Sequence, residues 1–256
     1  MSDYQTLKAE YTDQAHGYDD IALLPSGILE TQLLASALGD CTGLEILDLG
    51  GGSGLRARQV LDAGAESVDL VDITPGMLQA GQEIEASLGR DKIRWLEADL
   101  TEPLGNLLEG RQYDLVMANW LFDHAPSEKA LEQMWANVVA NLKPGGRFVG
   151  VRSGDPRGIV PTTGKYGLRY KDIENIPGGV KMRYVLELES PLEFEATLME
   201  TSYSGSTKMH EAFGLEDIKT ERPEDTEVVK KDPEFWSTFL ENPGFAVVSA
   251  RKRHEG

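Results

Sequence analysis

Cysteine is almost missing: Cys41 stands alone among 256 residues. One thiol cannot make an intrachain disulfide framework or a cysteine-built zinc site, and its sparing use fits a reducing compartment. Set in Asp40-Cys41-Thr42-Gly43 after a helix-like stretch, it reads as a small loop residue rather than a nucleophile. Histidine is scarce too, and neither the four histidines nor the carboxylates show ligand spacing, so no metal site is expected. Positive charge is short: 25 Lys and Arg face 43 Asp and Glu, for a formal net charge of -18. A surface this negative repels phosphate backbones and anionic lipid, so neither nucleic acid nor a membrane is an expected partner. The one basic cluster, Arg251-Lys252-Arg253-His254, reads as a solvated tail. No apolar run approaches membrane-spanning length, and Met1-Ser2-Asp3-Tyr4-Gln5 lacks the basic-then-apolar form of a signal peptide. A cytoplasmic protein, monomer or homodimer, is the expectation. Repeats and low-complexity segments are absent as well.

What is there is ordinary for a globular chain, 40% hydrophobic and 27% charged, and long enough to bury a sizeable core. Residues 5–16 are polar with scattered aromatics and suggest a surface helix ending near Gly17. Pro25-Ser26 opens an apolar-periodic helix that Gly39 ends. From there strands and helices alternate. Strands are predicted at 45–49, 67–71, 93–96, 113–118 and 147–151. Helices are predicted from Leu55, from Pro75 to about Leu88, and from about Ser127 to Leu142. That alternation means right-handed crossovers and a parallel sheet covered on both faces. Residues 153–178 are rich in Gly and Pro and read as loop. Two strands follow, with Val180, Met182, Tyr184, Leu186 and Leu188 alternating in one and Leu192, Phe194, Ala196 and Leu198 in the other. A helix around 207–213, a strand at 215–220, a helix at 232–240 and a strand at 245–250 complete the chain. The expected fold is α/β, a doubly wound Rossmann-like sheet with an antiparallel C-terminal addition attached to its edge. One domain over 1–256 is expected: a helical lid at 1–40, a cofactor-binding core at 44–151, and an acceptor-side antiparallel region at 152–256.

The strongest signal is Asp48-Leu49-Gly50-Gly51-Gly52-Ser53-Gly54, directly after a strand and before a helix. Glycine removes Cβ where backbone must lie against a ligand, and the helix beyond offers unpaired N–H groups. The dinucleotide fingerprint Gly-x-Gly-x-x-Gly fails in both registers: from Gly50 its third glycine falls on Leu55, and from Gly51 its second falls on Ser53. The pattern that fits is Asp-x-Gly-x-Gly-x-Gly. Asp72 ends the second strand, about 20 residues on, where an acid can accept hydrogen bonds from both ribose hydroxyls of an adenosine. Asp99 ends the third strand and can accept from an adenine amino group. Asn119 ends the fourth. All four positions fall at the carboxyl edge of the sheet, where open α/β folds bind ligands.

Residues 45–151 resemble a class I S-adenosylmethionine-dependent methyltransferase. Its first motif matches Glu45 to Gly54, its ribose-binding acid Asp72, its adenine-contacting acid Asp99. Its motif after the fourth strand matches Tyr113 to Asn119, and Leu142-Lys143-Pro144-Gly145-Gly146 matches the lead-in to the fifth. The resemblance implies S-adenosyl-L-methionine as cofactor, held by Asp48, Gly50, Gly51, Gly52, Asp72, Ile73, Met77, Asp99, Leu100 and Asn119. It also implies an N-terminal aromatic closing over the methionine part, a position that Tyr18 matches. More loosely, Lys165-Tyr166-Gly167, the strand pair and Phe235 to Pro243 resemble the small-molecule methyltransferases related to toxoflavin synthase. That likeness implies a small-molecule acceptor methylated on nitrogen or oxygen, in secondary or specialised metabolism.

Methyl transfer from a sulfonium to an in-line lone pair is catalysed chiefly by proximity and orientation. A base is needed only if the acceptor must shed a proton near the transition state. Trp120, Asp123 and His124, in the loop after the fourth strand, are the catalytic candidates. His124 either takes a proton near neutral pH or only caps the next helix or hydrogen-bonds the acceptor. His16 is a weaker candidate, and His210 and His254 sit in polar sequence. Met182, Tyr184 and Phe194 either wall the acceptor or are plain core. Trp95 and Trp236 read as packing residues, and Asp19-Asp20 as a helix-start or solvated pair. Two rivals stay open: a cofactor-binding regulatory protein without turnover, and an NAD(P)-dependent oxidoreductase, which the missing third fingerprint glycine disfavours.

Overall fold

The computed structural model describes residues 3–15, 17–203 and 205–254. Two helices come first, α1 (Asp3–Asp13) and α2 (Pro25–Leu38), with a 3₁₀ turn at Tyr18–Leu23 between them. Pro25 takes the first helical position, where its missing N–H costs nothing. The turn lies directly on α2 because residue 27 is glycine: a Cβ there would stand 1.9 Å from the Ile21 carbonyl oxygen.

The core follows the predicted alternation: β1 (Glu45–Leu49), α3 (Leu55–Asp62), β2 (Ser67–Asp72), α4 (Pro75–Ser87), β3 (Ile93–Glu97), β4 (Tyr113–Asn119), α5 (Glu128–Ala140) and β5 (Leu142–Ser153). These five strands pair in parallel in the spatial order β3-β2-β1-β4-β5. Side chains alternate between two layers. Ile46, Leu115 and Met117 join the layer under α2 and α3. Leu47, Val116 and Ala118 join the layer under α5. The chain reverses its winding between β1 and β4, so their carboxyl ends flank a crevice.

Beyond β5 come α6 (Ile159–Thr163), β6 (Leu168–Ile176), β7 (Gly179–Leu186), β8 (Leu192–Met199), α7 (Glu200–Tyr203), α8 (Lys208–Ala212), β9 (Leu215–Thr220), α9 (Glu227–Lys231), α10 (Pro233–Glu241) and β10 (Phe245–Lys252). β10 runs antiparallel to β5 and β9, completing a seven-stranded sheet. This is the Rossmann-like methyltransferase arrangement with its antiparallel addition. Two expectations need correction. Residues 153–178 are not all loop: they contain α6 and β6. Tyr170 is the only buried residue of β6, and a bulge at Asp172 (φ 54°) shifts its register, so no period-two apolar pattern marks the strand. Second, β7 and β8 do not extend the main sheet. They pair with β6 in a separate three-stranded sheet.

A buried polar cluster joins the two sheets. Asp123, fully buried in the turn after β4, accepts hydrogen bonds from Ser153 Oγ at 2.7 Å and Tyr184 OH at 2.5 Å. Ser153 ends β5, and its Oγ lies 3.1 Å from the Tyr170 hydroxyl. Tyr170 and Tyr184 belong to β6 and β7. The outer strand β8 meets α1. Glu193 N donates to Gln14 Oε1 at 2.9 Å, Gln14 Nε2 donates to Glu193 O at 3.0 Å, and Glu195 N donates to Glu10 Oε2 at 2.9 Å. The expected surface helix is therefore fastened to the second sheet, as a lid.

Asp123→Ala leaves the hydroxyls of Ser153 and Tyr184 without their acceptor, which should lower unfolding free energy by about 1–3 kcal/mol. Burial pushes the Asp123 pKa from 3.8 up to about 6, so the folded chain holds this proton more tightly than the unfolded one. Its contribution to stability therefore falls as pH rises from about 4 to about 6. Denaturant unfolding of both proteins across that range checks this, and identical midpoints would refute it.

Candidate functional site

The glycine loop follows from backbone geometry. Gly50, Gly52 and Gly54 sit at φ of 72°, 55° and 81°, the left-handed region that favours glycine, which explains the alternation. Asp72 holds the loop from β2. Its Oδ2 accepts from Gly52 N at 2.9 Å and its Oδ1 from Thr74 N at 2.8 Å. Burial pushes its carboxyl pKa up, against these hydrogen bonds. Asp48 lies buried nearby, and neither carboxylate oxygen has a hydrogen-bond partner. Burial first, and then the charge of Asp72, raise its pKa to about 7. Asn119, at the end of β4, likewise leaves both side-chain polar atoms without a partner.

Two cavities open above these strand ends. The first, about 630 Å³, is lined by Gly50, Gly52, Asp72, Ile73, Thr74, Met77, Leu100 and Asn119, with Leu121 and Met134. The second, about 540 Å³, is lined by Ile21, Leu24, Ser26, Gly27, Glu30, Leu168, Tyr184, Leu186 and Phe194. Tyr11, Tyr18, Trp120 and His124 line both. They form one site with two lobes and a shared aromatic wall.

That wall is tightly connected. The ring of Tyr11 stacks on Phe194 at 4.0 Å, and its hydroxyl lies 3.2 Å from His124 Nε2. Trp120 sits at φ 59°, a strained conformation for a bulky residue, and donates Nε1–H to Glu30 Oε2 at 2.9 Å. Glu30 Oε1 in turn accepts from Arg56 Nη2 at 2.6 Å. Asp19 stands in the first turn of the 3₁₀ helix, as its helix-start reading expects, and also accepts from Ser53 Oγ and from Arg58, tying that turn to the glycine loop.

Most of the expected site residues converge. Tyr18, Gly50, Gly52, Asp72, Ile73, Met77, Leu100 and Asn119 line the first lobe. Trp120 and His124 stand between the lobes. Gly51 and Asp48 lie behind the loop, where a Cβ on Gly51 would fall 2.8 Å from Asp48 Oδ2. Asp99 lines neither cavity; its Oδ1 accepts from the N–H and hydroxyl of Thr101, at 2.8 and 2.7 Å. Asp123 is also absent from both walls, because its carboxylate turns into the cluster between the sheets. Burial lowers the His124 pKa to about 4, outweighing the opposing effect of the Glu195 backbone, so the ring is neutral at pH 7 rather than poised there.

His210 is not in polar surroundings. It is buried, with its ring 4.6 Å from that of Trp135. Met182 and Tyr184 both belong to the second sheet's own core, and Tyr184 with Phe194 also faces the second lobe. Trp236 is buried and stacks on Tyr166, and Trp95 is partly buried against the core, so both pack as expected. His16 lies outside the described residues. Tyr11, Glu30, Thr74 and Met134 were not anticipated; only the aromatic identity of Tyr11 hinted at a buried role.

Residues 46–146 match a protein-family model described as a methyltransferase domain. A squalestatin tetraketide synthase of Cochliobolus lunatus is 34% identical over 117 residues, which are 43% of this chain but only 4% of that protein. A demethylmenaquinone methyltransferase of Tropheryma whipplei is 28% identical over 167 residues, 64% of this chain and 66% of the relative. A solved S-adenosylmethionine dependent methyltransferase from Mesorhizobium loti aligns with a TM-score of 0.59 at 21% identity, covering 89% of this chain and 100% of that one. The likeness in fold thus extends well past the methyltransferase domain itself.

Asp48 generates a prediction of its own. A raised acid pKa means the folded state gives up stability as pH climbs from 3.8 to about 7. Asp48→Asn removes that loss. Its melting temperature should exceed the parent's by a margin that grows between pH 4 and pH 7 and then levels, at roughly 2–4 °C per kcal/mol recovered. A margin independent of pH would show that Asp48 is not held in this way.

Proposed function

We propose that this protein binds S-adenosyl-L-methionine in the first lobe and transfers its methyl group to a nitrogen or oxygen of a small molecule in the second. The observation that carries this reading is the pair of lobes meeting at one wall of Tyr11, Tyr18, Trp120 and His124. The residues present fit the cofactor. Asp72 offers a buried carboxylate to the ribose hydroxyls. Ile73, Met77 and Leu100 supply an apolar flank for the adenine, and Leu100 rather than Asp99 lines the cavity there. The unpartnered amide of Asn119 is available to the amino-acid end. When bound, the cofactor supplies a methyl on a positively charged sulfonium to an attacking lone pair.

The remaining work falls to orientation. The second lobe presents Leu24, Leu168, Leu186, Phe194 and Tyr184, which suits a flat, mostly apolar acceptor. Glu30 is already engaged by Trp120 and Arg56, so it fixes the indole rather than the acceptor. Tyr11 and Tyr18 lie over the shared wall and exclude water. His124 is a weak base with a pKa of about 4, suited to accepting or donating a hydrogen bond rather than removing a proton. An acceptor with a free ring-nitrogen lone pair needs nothing more than placement. A charge of -18 further supports a small acceptor over a nucleic acid.

Two measurements test this reading. Asp72→Ala should weaken S-adenosyl-L-methionine binding by about 1.5–3 kcal/mol in calorimetric titration, since hydrogen bonds to charged groups are the strong ones. The same change strands the amides of Gly52 and Thr74, so thermal stability should drop with it. Binding of NAD in place of S-adenosyl-L-methionine would sink the cofactor assignment.

The second concerns the wall. His124 is neutral above about pH 4, so any pH dependence of turnover between pH 6 and pH 8 should be the same in the parent and in His124→Ala. Trp120→Ala should lower turnover more than His124→Ala. A rate rising with an apparent pKa near 6.5, and lost in His124→Ala, would instead make His124 the base.

A further inference from the structure

A third cavity lies on the other face of the main sheet, under α5, away from α2 and α3. It measures about 370 Å³, and its wall includes Phe122, Trp135, Arg152, Thr201, Ser202 and His210. Phe122 and Trp135 make a flat floor, stacked at 4.3 Å and 11°. Arg152 reaches in from β5. Its Nη1 donates to the Ser206 carbonyl at 3.0 Å and its Nη2 to the Gly205 carbonyl at 3.3 Å. Among the described residues no carboxylate pairs with it, although the chain carries 43 acids against 25 Lys and Arg. Nor does any acid line the cavity.

Three more polar atoms in the same wall are buried without a hydrogen-bond partner: Thr201 Oγ1, Ser202 Oγ and His210 Nδ1. Ser202 and His210 are 9% and 5% exposed, so bulk water does not serve them. A partly buried cation without a counterion is costly, and each stranded polar group adds a desolvation penalty of its own. Four such groups around one cavity call for an occupant that accepts hydrogen bonds. The guanidinium has N–H groups beyond the two it spends on carbonyls, and both hydroxyls can donate. The low His210 pKa, about 4, has burial as its main cause and the Arg152 charge as its second, consistent with a positive charge left unneutralised.

We propose that this cavity is a second ligand site, separate from the methyl-transfer site, that takes a small oxyanion, a carboxylate or a phosphate, on Arg152, Thr201, Ser202 and His210. Its volume is smaller than that of either lobe, which restricts it to a small occupant. Forked donors of this kind match planar carboxylate and phosphate oxygens.

The test uses the 256-residue chain, titrated separately with inorganic phosphate and with acetate at constant ionic strength, chloride making up the balance. Thermal shift and calorimetry follow binding. At least one anion should bind saturably, about tenfold or more weakly in Arg152→Gln, and by a smaller factor in Ser202→Ala. Affinity for S-adenosyl-L-methionine should not change in either variant. Saturation by only one of the two anions supports the site and names its chemistry. No saturable binding of either, or equal binding by parent and Arg152→Gln, overturns it. Should Arg152→Gln fail to fold, Thr201→Val and Ser202→Ala decide: weaker anion binding sustains the site, and unchanged binding refutes it.

Discussion

The second sheet stands where it does because Asp123 is buried between it and the first. Its carboxylate collects a hydroxyl from the end of β5 and another from β7, in a place with no water to replace either. The acid belongs to the same short turn that carries Trp120 and His124. Position of the second sheet and position of the shared wall are therefore one constraint. Leu168, Leu186 and Phe194 come to face the first sheet's crevice, and only then does a second lobe exist. Removing Asp123 alone strands the hydroxyls it holds, whereas an apolar replacement of the whole cluster often leaves stability unharmed, so the cluster's particular contribution is a fixed relative orientation of the sheets.

Around the crevice, local stability is given up repeatedly. Asp48 is buried without a partner, Asn119 is unsatisfied, and Trp120 is held in a left-handed conformation. Each departure costs free energy that the surrounding packing must offset. Trp120 shows how. Its indole is pinned by Glu30, which Arg56 pins in turn, so the strained backbone has no relaxed alternative nearby. Of the two unpaired groups, Asn119 faces the first lobe and Asp48 lies behind the loop, so only the amide is open to a ligand.

What could be read from the chain alone was what depends on neighbours in sequence. The glycine alternation, Asp72 at a strand end and Pro25 at a helix start each report a local backbone demand, and all stand where the pattern put them. The failures share a cause. Tyr11 looked like an exposed aromatic because its partner Phe194 is more than 180 residues away. Asp123 looked catalytic because adjacency to His124 says nothing about which way a side chain turns. β6 passed for loop because its bulge and charged outer face erase the period of two. Asp99 was placed correctly along the chain, yet its turn with Thr101 keeps it out of the cavity lining.

The fastening of α1 to β8 carries a further meaning. A helix there occupies the place of a neighbouring strand: Gln14 and Glu10 offer β8 the acceptor and donor groups that a fourth strand would have offered. Without α1 that margin of β8 would present amides and carbonyls that are a template for another chain. The same three hydrogen bonds that fix the helix therefore also shield a sheet edge from edge-to-edge pairing.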